Sequence, residues 1–148
     1  MKLKHVLNTD VIIMDLKGET KQDVIEEMLD LLVRTGRVSD REQALRDLLA
    51  REEKMSTGIQ YGVAIPHAKT TAVRELTACI ALKKDGVDFQ ALDGEASRIF
   101  FMTLSPVDRT GPHVQFLAEI SMVVKTESAR KQLLEAVTPR EILAVFGL

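Results

Sequence analysis

Three short apolar runs, "GVAIPH" (62–67), "TACIAL" (77–82) and "RIFFMTLS" (98–105), lie close together in the middle of the chain, between two blocks of helical periodicity. Apolar runs of this length set off by turn residues read as strands buried on both faces. The gaps between them are too short for a crossover helix between every pair, which a purely parallel sheet would need. The arrangement therefore predicts a mixed sheet, with "VIIMDL" (11–16) as a further strand and with Asp85-Gly86 and Asp93-Gly94 as turns.

The flanking blocks supply the helices. In "TKQDVIEEMLDLLVRTG" Thr20 can cap, Asp23 follows three residues later, and Val24, Ile25, Met28, Leu31 and Leu32 recur at helical spacing before Gly36. "SDREQALRDLLAREEKM" repeats the pattern, with Ser39 and Glu42 as a capping box and Ala44, Leu45, Leu48 and Leu49 as the apolar face. After Pro106, "GPHVQFLAEISMVVKT" places Val114, Leu117, Ala118, Ser121 and Met122 on one side, and "SARKQLLEAV" forms another helix. The last helix opens at "TPRE", with Thr138 as cap, Pro139 at the first helical position and Glu141 completing a box. The order helix-helix-strands-helix-helix predicts an α/β sandwich spanning 1–148 as a single domain, a mixed sheet flanked by helices on both faces.

Composition narrows the function. A chain of 148 residues can bury a core without metals or disulfides. A net charge of -2 provides no basic field for nucleic acid. The single cysteine, Cys79, falls inside an apolar run and is expected to be buried and inert, and there is no HxxxH or CxxC pair for a metal. The N-terminal apolar stretch is broken by Asp15 and Lys17, well short of the roughly 20 residues that span a bilayer, and has no signal-peptide pattern. A cytoplasmic protein without direct membrane insertion is expected.

The chemistry gathers around His67 in "GIQYGVAIPHAKT" (58–70). Pro66 freezes the turn before it, Gly58 and Gly62 permit close backbone approach to a ligand, and Ser56 and Thr57 offer donors nearby. A neutral imidazole, with an ordinary pKa of about 6.5, carries a free lone pair at pH 7 while its other nitrogen can be held by a hydrogen bond. That suits a phosphoryl acceptor, since phosphoryl transfer needs little beyond positioning and stabilisation of the spectator oxygens. His113 falls in the first turn of a helix, where a neutral imidazole beside unpaired amides can donate to an anion. Arg51 ends the second helix and could turn its guanidinium toward a phosphate. His5 has no such setting and reads as structural or exposed.

"REEKMSTGIQYGVAIPH" (51–67) resembles the signature of the phosphotransferase-system enzyme IIA domains of the fructose, mannitol and nitrogen-regulatory group, and "HVQFLAEIS" (113–121) resembles the family's later segment, 46 positions on. The resemblance spans nearly the whole chain. It implies that His67 takes a phosphoryl group from phosphorylated HPr on its epsilon nitrogen and delivers it to a cysteine of an enzyme IIB domain. Arg51 and His113 would stabilise the group in transit, with Thr57 and Gly58 binding it, and no metal or organic cofactor is expected. The same acceptor histidine would serve a regulatory IIA module, whose phosphorylation state controls binding to a transporter, channel or kinase. Ala68, Pro112 and Tyr61 depart from the residues common in the family at those positions and mark the rim where partner choice could differ.

Overall fold

Residues 2–148 are described by the computed structural model of the protein. A short helix α1 (Leu3–Val6) and a single 3-10 turn (Thr9–Val11) lead into β1 (Ile12–Ile13). Helices α2 (Lys21–Arg34) and α3 (Arg41–Lys54) follow, then β2 (Val63–Ala64), β3 (His67–Lys69), β4 (Thr77–Val87) and β5 (Ser97–Ser105). Helices α4 (Gly111–Val124), α5 (Glu127–Glu135) and α6 (Pro139–Val145) complete the chain.

The sheet is mixed, in the order β1-β4-β5-β2, with β3 also on β5. β4 and β5 are antiparallel and form its centre; β1 runs parallel to β4, and β2 and β3 run parallel to β5. Alternation along the central pair sends successive residues to opposite faces. Cys79 and Met102, cross-strand partners, face α2, where the Cys79 thiol donates to the Met28 carbonyl at 3.8 Å. Ile80 and Phe101 face the other way, and Phe101 meets Phe146, just past α6, edge to face at 5.9 Å. α2 and α3 thus pack on one face and α4 to α6 on the other, giving the helices on both faces that the sequence predicts. Phe89, Phe100, Phe101 and Phe116 are all fully buried, and each contributes roughly 1.5–3 kcal/mol. Burial pushes the Cys79 thiol far up, leaving it neutral and inert.

Four local expectations need correction. α3 is capped by Asp40, whose side chain accepts from the Gln43 amide, because Ser39 is bound instead to the Ala72 carbonyl. Asp85-Gly86 is an irregularity inside β4 rather than a turn, since the β4–β5 register shifts between Leu82 and Val87. "VIIMDL" contributes only Ile12 and Ile13 as strand, although the Leu16 amide still reaches the Leu82 carbonyl. In α4 the buried stripe is His113, Phe116, Ile120 and Val124; of the expected face only Leu117 packs partly against the core, and Val114, Ala118, Ser121 and Met122 are exposed. Apolar residues surround that helix, so periodicity alone does not choose between its faces.

The segment before His67 folds as a small hairpin. The Ile59 amide donates to the Val63 carbonyl and the Ile65 amide to the Thr57 carbonyl, with Gly58 bridging Ala64 between them. Tyr61 and Gly62 at the tip have φ of 63° and 75°, the pattern of a type I′ turn. A Cβ on Gly58 would lie 2.9 Å from Ala91 Cα. The two glycines thus serve the turn and a close backbone crossing, rather than a ligand approach. Gly58→Ala is expected to destabilise the protein by about 1–3 kcal/mol, because the clash is with backbone that cannot rotate away. Urea unfolding of the variant against the wild type measures this.

Candidate functional site

Residues 62–69 run along β5 in one register, Val63 opposite Ile99 and His67 opposite Thr103, with Ile65 and Pro66 interrupting the strand. The carbonyls of Gly62 and Pro66 accept from Ile99 and Thr103, and the Thr70 amide donates to Ser105. Even-numbered residues thus turn their backbone toward β5. Ile65, between them, faces the other way: its amide meets Thr57, and its carbonyl is free for a side chain.

That carbonyl takes His67. Nδ1 lies 2.7 Å from the Ile65 oxygen. A carbonyl can only accept, so Nδ1 carries the proton and Nε2 is left with its lone pair. The ring is half-buried, and burial is the main influence lowering its pKa, helped by the Arg51 charge and opposed by the Ile65 bond and Glu52. His67 is therefore neutral at pH 7, and its epsilon nitrogen carries the lone pair that a nucleophile needs.

His113, in the first turn of α4 after Gly111 and Pro112, is buried beside it, with ring centroids 5.3 Å apart and planes tilted by 36°. Its Nδ1 lies 3.4 Å from Thr103 Oγ1, so one β5 residue pairs with the first histidine and touches the second. Burial, then the nearby His67 and Lys69 charges, lower the His113 pKa to about 4. Burial rather than the helix end is thus the leading cause of its neutrality. Thr103 was not singled out in the sequence, although a hydroxyl inside "RIFFMTLS" is the kind of signal that marks it.

Arg51 lies at the last turn of α3, where its guanidinium donates to the Met55 carbonyl at 2.7 Å. Its charge is felt at His67, but no hydrogen bond among the described residues joins it to either imidazole. Thr57 and Gly58 are turned inward. The Thr57 amide and hydroxyl both donate to Glu52, at 2.7 and 2.6 Å, and the Gly58 amide donates to Ser56 Oγ at 3.1 Å. Glu52 continues the buried stripe of Ala44 and Leu48 on α3, a carboxylate at helical spacing that sequence reasoning passed over. Tyr61 lies at the hairpin tip, six residues before His67, with its ring 4.2 Å from the Arg130 guanidinium. Ala68 points to the opposite face from His67, whereas Pro112 adjoins His113. His5 is exposed on α1. Among the described residues, no group of three or more His, Cys, Asp or Glu is placed to hold a metal ion.

The depressed His113 pKa fixes a sign for stability against pH. Between the ordinary value of about 6.5 and the folded value of about 4, the unfolded chain binds a proton at His113 that the folded chain does not. Stability is therefore lost as pH falls through this window, by about 2 kcal/mol at about pH 5, with His67 adding in the same direction. Urea unfolding at about pH 7 and about pH 5 is expected to show this loss, and His113→Asn to remove most of it.

Comparison with known proteins fits this geometry. Residues 5–147 match the family described as "Phosphoenolpyruvate-dependent sugar phosphotransferase system, EIIA 2". The chain is 39% identical over 138 residues to the PTS system fructose-specific EIIA component of Haloferax volcanii, covering 93% of this chain and 90% of that protein. It is 35% identical over 147 residues to the PTS system fructose-specific EIIABC component of Bacillus subtilis, where it covers 99% of this chain but spans only 23% of the relative's length. The crystal structure of the nitrogen regulatory protein IIA-Ntr from Neisseria meningitidis superposes with a TM-score of 0.91 at 28% identity, covering 97% of this chain and 98% of that one. No helix among the described residues is long and apolar enough to cross a membrane. A match over almost the entire chain, together with a fold shared to this degree, places the protein in the enzyme IIA type 2 family of the phosphoenolpyruvate-dependent sugar phosphotransferase system.

Proposed function

We propose that the protein is a cytoplasmic phosphocarrier, accepting a phosphoryl group from phosphorylated HPr on Nε2 of His67 and passing it to a cysteine of an enzyme IIB domain. The observation that carries the proposal is the 2.7 Å contact between His67 Nδ1 and the Ile65 carbonyl, which commits the delta nitrogen to its proton. The epsilon lone pair attacks phosphorus in line as the donor's N–P bond breaks, and the electron pair of that bond returns to the donor imidazole. The ring of His67 then bears positive charge, which the Ile65 carbonyl dipole stabilises by accepting the Nδ1–H. In the next step an incoming thiolate attacks phosphorus, and the N–P electron pair returns to His67 Nε2.

His113 supplies a neutral donor to the phosphoryl oxygens. In the tautomer in which the Thr103 hydroxyl donates to Nδ1, 3.4 Å away, the Nε2–H points at the incoming group. Arg51 contributes positive charge at the mouth of the site, and full engagement requires it to leave the Met55 carbonyl. Thr57 and Gly58 act on the phosphoryl group through the shape of the hairpin, since their donors are engaged within the protein. The fructose-specific relatives favour sugar transport as the purpose. The regulatory reading rests on the similarity to IIA-Ntr and needs the same acceptor histidine.

Incubation with phosphoenolpyruvate, enzyme I and HPr is expected to add one acid-labile phosphoryl group, absent in His67→Ala. His113→Ala is expected to retain the acceptor but react about a hundredfold more slowly. An unmodified wild type overturns the proposal. Pull-downs with wild type, His67→Ala and His67→Glu address regulation: partners that differ between variants support a switch, and identical partners count against it.

A further inference from the structure

Behind the hairpin lies a buried ion pair that the phosphoryl chemistry does not use. Glu52, 9% exposed, accepts from Lys21 Nζ at 2.8 Å on Oε2, which also takes the Thr57 amide at 2.7 Å, while Oε1 takes the Thr57 hydroxyl at 2.6 Å. Lys21 and the Thr57 amide can only donate, and the three hydrogen bonds offset the desolvation of the carboxylate. Lys21 in turn lies 4.9 Å from the centre of the Phe89 ring and 3.3 Å from Ser56 Oγ, which donates to the Phe89 carbonyl. The contacts tie α2, α3 and the segment around Phe89 to one residue of the hairpin, Thr57.

Thr57 is also where the hairpin holds the peptide that orients His67. Its carbonyl accepts the Ile65 amide at 3.0 Å, and the Ile65 carbonyl accepts the His67 Nδ1–H at 2.7 Å. From Glu52 the sequence of bonds therefore runs through two residues, Thr57 and Ile65, to the imidazole. Resting on the reading of His67 as the phosphoryl acceptor, we infer that Glu52 is a positioning residue for that reaction: it fixes Thr57, hence the Ile65 carbonyl, hence the Nδ1–H tautomer that exposes the Nε2 lone pair.

Physical chemistry makes the demand specific. Imidazole interconverts its tautomers freely unless a neighbour selects one, and the wrong tautomer presents an N–H where the nucleophile is needed. A single carbonyl on an edge strand selects only if it cannot swing, and Ile65 precedes a proline that forfeits a ladder bond to β5. The holding force therefore comes from the hairpin side, through Thr57. Because Glu52 and Thr57 are buried, neither can touch a docking protein. Their loss should appear in the transfer step and not in the affinity for the donor.

The test uses the full chain labelled with 15N-histidine, in wild type, Glu52→Gln, Glu52→Ala and Thr57→Val. Nitrogen shifts report the His67 tautomer, and phosphorylation by phospho-HPr at varied concentration separates kcat from KM. The expected result is a mainly Nδ1–H wild type, a shift toward the Nε2–H form in the variants, and a kcat reduced about ten- to a hundredfold in Glu52→Ala with KM little changed. Glu52→Gln, which keeps one acceptor, should lie between. Thr57→Val deletes only the 2.6 Å hydroxyl bond, and it decides the matter should the Glu52 variants fail to fold. A wild-type tautomer and wild-type kcat in a folded Glu52→Ala or in Thr57→Val overturn the inference. A wild type that takes no phosphoryl group overturns the acceptor reading instead, and the tautomer shifts still show whether Glu52 orients the ring.

Discussion

The missing amide hydrogen of Pro66 is the constraint around which the site is built. In an edge strand pairing through its even-numbered residues, a proline at position 66 removes one ladder bond and splits β2 from β3. The register nevertheless continues, because the Pro66 carbonyl still accepts from Thr103 and the Thr70 amide still reaches Ser105. A strand thus loosened but kept in register can turn the Ile65 carbonyl toward a side chain. Without the register, His67 would not lie opposite Thr103, and without Thr103 the second imidazole would lack its contact on β5.

The two faces of the sheet divide the labour. His67, Thr103 and His113 meet on the α4 side, where burial keeps both imidazoles neutral. The carboxylate, lysine and threonine that stiffen the hairpin lie on the side of α2 and α3. Separation matters electrostatically. Under the proposed chemistry, a carboxylate in direct contact with His67 would repel an arriving phosphoryl group, whereas one reached through Thr57 and Ile65 keeps the geometric effect and weakens the charge effect. Arg51 and Glu52, adjacent on α3 and about 100° apart around it, have different settings: Arg51 is half-buried and Glu52 is buried.

Much of this was legible in the residues. The caps at Thr20 and Thr138 are where short polar side chains before apolar periodicity put them, and the mixed sheet followed from strands too close for crossovers. His67 stood out because glycines and a proline crowd it, and the fold brings it beside His113. What escaped has a common physical cause: a residue whose role depends on a partner distant in sequence leaves no local trace. Asp40 beat Ser39 as a cap because Ala72, in another segment, claimed Ser39. The buried face of α4 was decided by which side met β5, not by an apolar count that was nearly even. Glu52 had a trace, a carboxylate at the spacing of Ala44 and Leu48, but its meaning required seeing Thr57 against it. Thr57 and Gly58 looked like donors for a ligand because sequence cannot show that their hydrogens are already engaged.

Burial of His113 then acquires a purpose under the proposed chemistry. In the resting protein an unpaired charge at that position is costly, so the imidazole stays neutral, and two rings 5.3 Å apart do not repel. A phosphoryl group on His67 brings about -1.5 to -2 charges to the same poorly solvated spot. The desolvation that opposed a proton on His113 now strengthens its attraction to the anion, because the low dielectric that penalises a lone charge magnifies a paired one. The site is thus arranged so that its donor is inexpensive to keep when empty and strong when loaded, a difference between the two states that an exposed lysine, charged in both, could not supply.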